Sequence, residues 1–567
     1  MAVELGRSRL AASYQGVSLW SRVYGFGSVY AKSLRDSRLA FIIVAGLLGG
    51  LMIVAGAGVG SVYSTPGSRQ DLARLATDLA GQSPVLRGLV GNPLNVGTIG
   101  GYVTWKYGPV FVYVACLWSI LALSGTLAAE ARRGSLDLVA AAPFGRRRLA
   151  LEKLAAHLTV VVGAMAILAL ASWLAGAAFG TLPGDAIPPH AAIGFALWIG
   201  LVALASGSVA FALAPFLSRA GAAWIAGFVL FAGYFLNGYQ TVVPALAGIS
   251  NLTWFSWTAR HVPLAGQYDW GSLVPVAVVS VVFLAVGVEA FARRDLGATS
   301  SIRTPALPGA VLGLHGPVGR AFGERLPSGL AWGLGLGTFG LVIAAASRSL
   351  TDEMARMSPD TIRVFRTVLP NFDVTSAGGF LQLVFVQLGY IVVGFAAAVL
   401  VAGWASDETS GRLEMLLATP LARSRWAVSS AIGVYLTIAV MTVMLAVAVG
   451  VGALTAGSDA ATPMAGSITL GLYAAGMAGV GFAIGGLLRT SIAAEAVALL
   501  VTATFLIDLV APPLRLPDWV HQLALTAHLG QPMVGRWDVA GITTCLVLAA
   551  GGLALGGWGM RRRDVAR

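Results

Sequence analysis

Twelve runs of about twenty apolar residues recur along this chain, each long enough to cross a hydrocarbon layer about 30 Å thick. They lie near 40–62, 107–129, 153–180, 190–214, 221–241 and 271–291, then near 333–350, 381–404, 428–456, 464–487, 491–512 and 539–560. The runs do not alternate polar with apolar residues, as the strands of a membrane barrel would. With 57% hydrophobic and 11% charged residues, the composition leaves too little polar surface for an ordinary soluble enzyme. The expected fold is an all-α integral membrane protein of about twelve transmembrane helices.

A polar segment occurs twice among these runs, each time after the second run of a set of six. Residues 130–148 read EARRGSLDLVAAAPFGRRR and residues 407–425 read DETSGRLEMLLATPLARSR. Gly134 aligns with Gly411, Leu136 with Leu413, Asp137 with Glu414, Pro143 with Pro420, Arg146 with Arg423 and Arg148 with Arg425. Arg219 and Arg489 stand in the turns between the fourth and fifth runs. Each set closes on Arg-Arg-Asp, at Arg293-Arg294-Asp295 and Arg562-Arg563-Asp564. A tandem duplication accounts for all of this. It predicts a first half over 1–297, a linker over 298–317 rich in Gly, Pro, Ser and Thr, and a second half over 318–567. Six is even, so the repeats are parallel and related by a pseudo-two-fold axis along the membrane normal.

Lys and Arg exceed Asp and Glu, 37 against 25, and their placement explains the excess better than nucleic-acid binding does. If the N-terminus is cytoplasmic, 26 of the 37 basic residues fall on cytoplasmic segments, including Arg146–Arg148 and Arg561–Arg563. The positive-inside rule therefore predicts a multi-pass protein of the bacterial cell membrane with both termini in the cytoplasm. Met1 to Arg38 is polar and basic and does not resemble a cleavable signal. Aromatic and basic residues before the first run (Tyr24, Phe26, Tyr30, Lys32, Arg35) and before the seventh (Arg320, Phe322, Arg325) suit helices lying at the headgroups. Outside, 68–93 and 351–369 have helical periodicity. The aromatic, proline-broken segments 237–270 and 511–537 suit either helices dipping into the outer leaflet or external loops.

No motif of covalent chemistry emerges. A P-loop needs a lysine after a glycine-rich turn, and none of the three lysines, Lys32, Lys106 and Lys153, has that setting. The two cysteines, Cys116 and Cys545, sit inside apolar runs and the six histidines are scattered, so neither a disulfide framework nor a metal site is implied. The duplicated segment carries the most information. Read as a helix, it sets Leu136, Val139, Ala140 and Pro143 on one face, and Leu413, Leu416, Leu417 and Pro420 on the same face of the second copy. Asp137 and Glu414 come early, where a carboxylate suits the helix dipole. Two such helices about a two-fold axis suit a two-fold symmetric partner.

The acidic residue, glycine, leucine, Asp/Glu, small-residue stretch, proline and arginine between the second and third runs resemble the coupling-helix region of ABC-2 type exporter permeases. The lead-in before the first run, the broken segment between the fifth and sixth, and the closing Arg-Arg-Asp are similar to that family too. The fused twelve-span form resembles actinobacterial exporters of polyketide antibiotics of the tetronasin kind. The resemblance implies a permease subunit without a nucleotide site, working with two copies of a separate ABC ATPase that carries ATP and Mg and exporting an amphipathic small molecule. It makes Glu130, Gly134, Leu136, Asp137 and Pro143, and Asp407, Glu408, Gly411, Leu413, Glu414 and Pro420, the residues coupled to the ATPase. The first copy departs from the pattern at Ala140 and Ala142, where the second has Leu417 and Thr419, and its grip is expected to be the weaker.

Two other classes compete. A proton-coupled transporter of the major facilitator type also has six plus six parallel spans, but its loop motif places Asp four residues after Gly, whereas Asp137 follows Gly134 at three. A membrane protein that binds drug without moving it, for immunity or sensing, is the third. Charge within hydrocarbon is costly, so Glu495 and Asp508, with Asn237 near the place corresponding to Asp508, are candidates for the translocation path. Gly46, Gly50, Gly481 and Gly485 are expected to allow close helix packing.

Overall fold

The computed structural model describes residues 28–82, 87–88, 91–132, 145–217, 219–240, 246–293, 316–355, 376–409, 411–510 and 517–563. Twelve helices among these residues are long and apolar enough to cross a membrane. In the first half they are α1 (Val29–Val62), α3 (Ile99–Arg132), α4 (Arg146–Phe179), α5 (Pro189–Leu213), α6 (Arg219–Tyr239) and α7 (Leu273–Arg293), with a shorter α2 (Pro66–Gln82) after α1. In the second half they are α8 (Gly316–Ala355), α9 (Gln387–Thr409), α11 (Arg423–Thr455), α12 (Ala461–Leu487), α13 (Ala493–Val510) and α14 (Val539–Arg562), with a six-residue α10 (Arg412–Leu417) after α9. A helix thus stands at each of the twelve expected runs. The chain divides into two compact units, Met1–Ile302 and Arg303–Arg567.

The helices start where local chemistry starts them. Ser28 caps α1 by accepting from the Ala31 N–H, Thr65 accepts from Ser68 ahead of α2 with Pro66 as its first residue, and Asp538 accepts from Ala540 at the head of α14. Tyr30, Lys32 and Arg35 of the first lead-in, and Arg320, Phe322 and Arg325 of the second, lie in the first turns of the spanning helices α1 and α8 rather than on separate surface helices, while Tyr24 and Phe26 lie outside the described residues. The 34 residues of α1 measure about 51 Å at 1.5 Å per residue, well beyond a hydrocarbon layer of about 30 Å, which leaves its first turns among the headgroups. α9 follows a turn of π-helix at Gln382–Val386. The buried Gln382 there accepts from the Met533 N–H at 3.2 Å.

Each unit is held by close helix contacts. In the first, α1 lies on α4, with Gly56 against Ala175 and Gly60 against the Phe179 carbonyl, and Phe111 of α3 meets Phe195 of α5 edge to face at 5.5 Å. In the second, α12 and α14 approach backbone to backbone. A Cβ on Gly552 would run into the Gly479 carbonyl oxygen, and one on Gly559 would stand 2.5 Å from that of Gly486. Trp404 of α9 stacks on Trp426 of α11 at 5.6 Å, with Phe482 of α12 against its edge. Of the glycine faces expected from sequence, Gly481 and Gly485 do pack tightly, against Val401, Val497 and Trp404. Gly46 and Gly50 do not. Both are exposed, and Gly49, Gly56 and Gly60 make the contact to α4 instead, because the turn of a helix decides which of several glycines faces its neighbour.

Within the expected helix over 68–93, α2 covers the part to Gln82 and residues 83–86 and 89–90 lie outside the described residues; so do 356–369 of the expected helix over 351–369, whose first residues end α8. The aromatic segments are irregular. Residues 247–272 form two single-turn helices and two short 3₁₀ turns, and 518–537 form similar turns with a two-residue hairpin, Gly530–Gln531 against Arg536–Trp537. Each contains a Pro-X-X-Gly turn, at Pro263–Gly266 and Pro532–Gly535, whose glycine takes φ +83° or +76°. A bridge from Val262 to Gln267 closes the first turn, and pairing of Gln531 with Arg536 closes the second.

Candidate functional site

The second copy of the duplicated segment hangs from two carboxylates at the end of α9. Asp407 is 1% exposed. It accepts from Arg320 of α8 at 2.7 Å and from the Trp426 indole of α11 at 3.2 Å. Glu408 accepts from Thr490 at 2.6 Å and pairs with Arg563, at the far end of α14 in sequence. Arg563 also donates to the Leu488 carbonyl, and its own carbonyl accepts from Arg423 at 3.0 Å. Two adjacent acids thus tie α9 to α8, α11, the turn before α13 and the end of α14. The buried Arg325 adds bonds to the Ala321 and Gly403 carbonyls.

Beyond this knot the chain reverses at Gly411, whose φ of +75° only glycine adopts without strain, and enters α10. α10 ends at Leu417, short of the helix expected to reach Pro420. Leu413 is fully buried and pins it to its own half, while Leu416 and Leu417 are half-buried. The outward surface is Arg412, Glu414, Met415, Ala418, Thr419 and Pro420, with Met415 70% exposed. Glu414 sits in the first turn, where its charge meets the positive end of the helix. The expected apolar stripe therefore faces inward at Leu413, and the surface left for a partner is polar with one large apolar residue.

In the first half, Glu130 lies in the last turns of α3, and Gly134, Leu136, Asp137 and Pro143 lie outside the described residues. The chain resumes at Gly145, ahead of α4. There Arg147 pairs with Glu289 of α7 at 2.7 Å, Glu289 pairs with Arg293, and Arg148 pairs with Glu152 at 2.9 Å.

The three path candidates are not brought together. Asn237 lies on α6 and borders a cavity of about 540 Å³ in the first half, walled by Trp105, Trp198, Tyr234 and Phe255 and edged by Arg87 and Arg260. Its amide oxygen accepts from Gln240 at 3.1 Å. Asp508 ends the thirteenth helix, where it accepts from Thr526 and lies 3.6 Å from His521. Glu495 is exposed in the first turn of that same helix, about 20 Å away along its axis. Among the described residues no group of three His, Cys, Asp or Glu side chains is placed to hold a metal ion.

A knot at the opposite end of the first half escaped the sequence reading. Arg69 of α2 and Asp185, in the connection from α4 to α5, are 4% and 1% exposed and form a two-pronged ion pair at 2.8 and 3.0 Å. Arg69 also donates to the Tyr63 and Gly97 carbonyls. Asp185 accepts from the N–H groups of Ile99, Thr181 and Leu182. Burial pushes the Asp185 carboxyl up, but the bonds from Arg69, Leu182 and Thr181 outweigh it and hold it below the ordinary range. Within the sequence, an acid three residues before a Pro-Pro pair was the one signal.

The architecture defines a class: a multi-pass, all-α membrane protein with a short helix suspended from a buried ionic knot at one end of its second half. Residues 314–561, nearly all of that half, match the family model for the C-terminal domain of the multidrug efflux system permease Rv1217c. The chain is also 28% identical over 377 residues to the multidrug efflux system permease protein Rv1217c of Mycobacterium tuberculosis. The aligned region covers 65% of this chain and 64% of that relative.

Proposed function

We propose that this chain is the membrane permease of an ATP-driven exporter, which moves an amphipathic small molecule outward and takes its power from a separate ATPase. The observation that carries the reading is α10: an exposed six-residue helix with a carboxylate in its first turn, held on one buried leucine and two buried acids. Such an arrangement passes a push on α10 directly to α8, α9, α11 and α14. The likeness to an efflux permease supports a drug-like or lipid-like cargo, with a polyketide antibiotic as one candidate. In this reading both termini are cytoplasmic, the two copies of the segment each receive one ATPase subunit, and ATP and Mg reside on the partner. Glu414, Met415 and Pro420 contact that partner, with Gly134, Leu136, Asp137 and Pro143 as their counterparts. Leu413, Gly411, Asp407 and Glu408 hold the contact in place. Asn237, Glu495 and Asp508 are the positions along the route to be tested for substrate contact.

The test is reconstitution with the partner ATPase. Replacing Glu414 and Asp137 by Arg should abolish complex formation and substrate-stimulated ATP hydrolysis while leaving the permease folded. Unchanged coupling in that double variant would refute the assignment, and transport driven by a proton gradient without any ATPase would point to a secondary transporter.

A further inference from the structure

In the second half, α11 and α14 leave an open groove of about 550 Å³ beside the start of α11 and the end of α14. Its floor and walls are apolar at Val428, Ile432, Gly557 and Trp558, and its mouth carries Arg425 and Arg561. Both arginines are exposed, and neither side chain forms a hydrogen bond or ion pair with the described residues. Among the described residues no carboxylate lines the groove. Arg562 lies over the Trp558 ring at 4.2 Å and adds a third cation nearby.

The first half pairs its arginines at the corresponding helix ends internally. Aligning Arg148 with Arg425 puts Glu152 at the place of Ser429, and aligning Arg293 with Arg562 puts Glu289 at the place of Trp558. Glu152 neutralises Arg148, and Glu289 bridges Arg147 and Arg293. The second half keeps Arg148 as Arg425 and Arg293 as Arg562, has Ser424 at the place of Arg147 and gains Arg561 at the place of Ala292. It lacks both carboxylates and has a groove where the Glu289 bridge would run.

We infer that an anionic phospholipid fills this groove, its phosphate between Arg425 and Arg561 and an acyl chain along Val428 and Ile432. The groove lies at the ends of two spanning helices, which is headgroup depth, and Trp558 is the residue type that settles there. From Arg425 to Ile432 the helix descends about 10 Å, the distance from phosphate to upper acyl chain. Basic clefts between spanning helices recognise such headgroups by charge, which a zwitterionic lipid matches less well.

The experiment is native mass spectrometry of the purified full-length chain, offered equal amounts of phosphatidylglycerol and phosphatidylcholine. The wild type should retain phosphatidylglycerol preferentially. Arg425→Gln with Arg561→Gln should reduce that preference about tenfold or more. Trp558→Glu, which restores the first half's carboxylate, should reduce it similarly without removing any cation. Arg147→Gln in the first half should leave it unchanged. Either second-half variant suffices if the other fails to fold. The proposal is overturned if the wild type shows no preference, if the folded variants keep it, or if Arg147→Gln abolishes it. It is equally overturned if the arginine variants retain lipid but lose the partner ATPase, which would make the groove a protein contact.

Discussion

Asp407 and Glu414 lie seven residues apart and do opposite work, although both read as acids of one polar segment. Asp407 is enclosed by Arg320 and Trp426. Replacing it by Ala strips the Trp426 indole of its acceptor and, among the described residues, leaves Arg320 with only Glu324, 3.5 Å away. Losing a charge-assisted hydrogen bond of this kind costs about 1.5–3 kcal/mol, so Asp407→Ala should lower the thermal unfolding midpoint of the detergent-purified protein. Glu414→Arg should leave the midpoint within about 0.5 kcal/mol of wild type, as exposed substitutions do. Equal destabilisation by the two would contradict this division of labour. Asp185 gives a residue-scale prediction in pH. Its folded carboxyl lies below the ordinary value, so the stability it contributes is complete above the unfolded value near 4 and is lost as pH falls through the lowered one. Asp185→Asn should therefore cost about 3–5 kcal/mol near neutrality, the usual result of breaking a buried pair. Thermal melts of mutant and wild type should converge on acidification. A gap that persists undiminished in strong acid would mean that the carboxylate charge is not what holds the knot.

Among elements, the sharpest contrast is between glycines that meet a neighbouring backbone and glycines that meet nothing. Gly552 and Gly479 touch through their main chains, so a side chain at 552 has no place to go without parting α12 from α14. Gly552→Leu should destabilise the second half by at least the 1–3 kcal/mol, or thereabouts, that overpacking costs, whereas Gly46→Ala, with nothing within 4 Å, should be silent or slightly stabilising. Parallel melts of the two variants make the comparison. Sequence gives the existence of these helices at once, because twenty apolar residues in a row leave no other structure in a bilayer. It does not give their rotation. Apolar all round, a spanning helix carries no stripe that says which glycine turns inward, and so Gly46 and Gly50 were the natural choice over Gly49 and Gly56. α10 shows the same limit. Its leucines mark one face, but only the fold shows that Leu413 is buried in its own half while Met415 points out. The Arg69–Asp185 knot was illegible for a related reason: its partners are 116 residues apart, and beyond the Pro-Pro pair after Asp185 nothing local distinguishes them from surface charges.

At the scale of the whole molecule, the arginines at Arg146–Arg148, Arg423, Arg425 and Arg561–Arg563 fix one expectation that no helix contact supplies, namely which end of each unit faces the cytoplasm. The duplicated segment, the reading of α10 as an ATPase contact and outward export all require the arginine-rich end to be inside. The protein lends itself to a direct measurement because its two native cysteines, Cys116 and Cys545, are fully buried and give little background. Gln70 on α2 and Ala461 at the head of α12 are exposed at the other end of their units, and Thr419 is exposed beside α10. One spanning helix, α11, separates Thr419 from Ala461, so the two must lie on opposite sides of the membrane. A membrane-impermeant maleimide added to intact cells should label Gln70→Cys and Ala461→Cys, and should reach Thr419→Cys only after permeabilisation. The reverse pattern would put α10 outside the cell, beyond the reach of any ATP-hydrolysing partner. A split pattern, with Gln70→Cys and Ala461→Cys on different sides, would mean that the two units are inverted rather than parallel, and the duplication could then not present its two short helices to one two-fold partner.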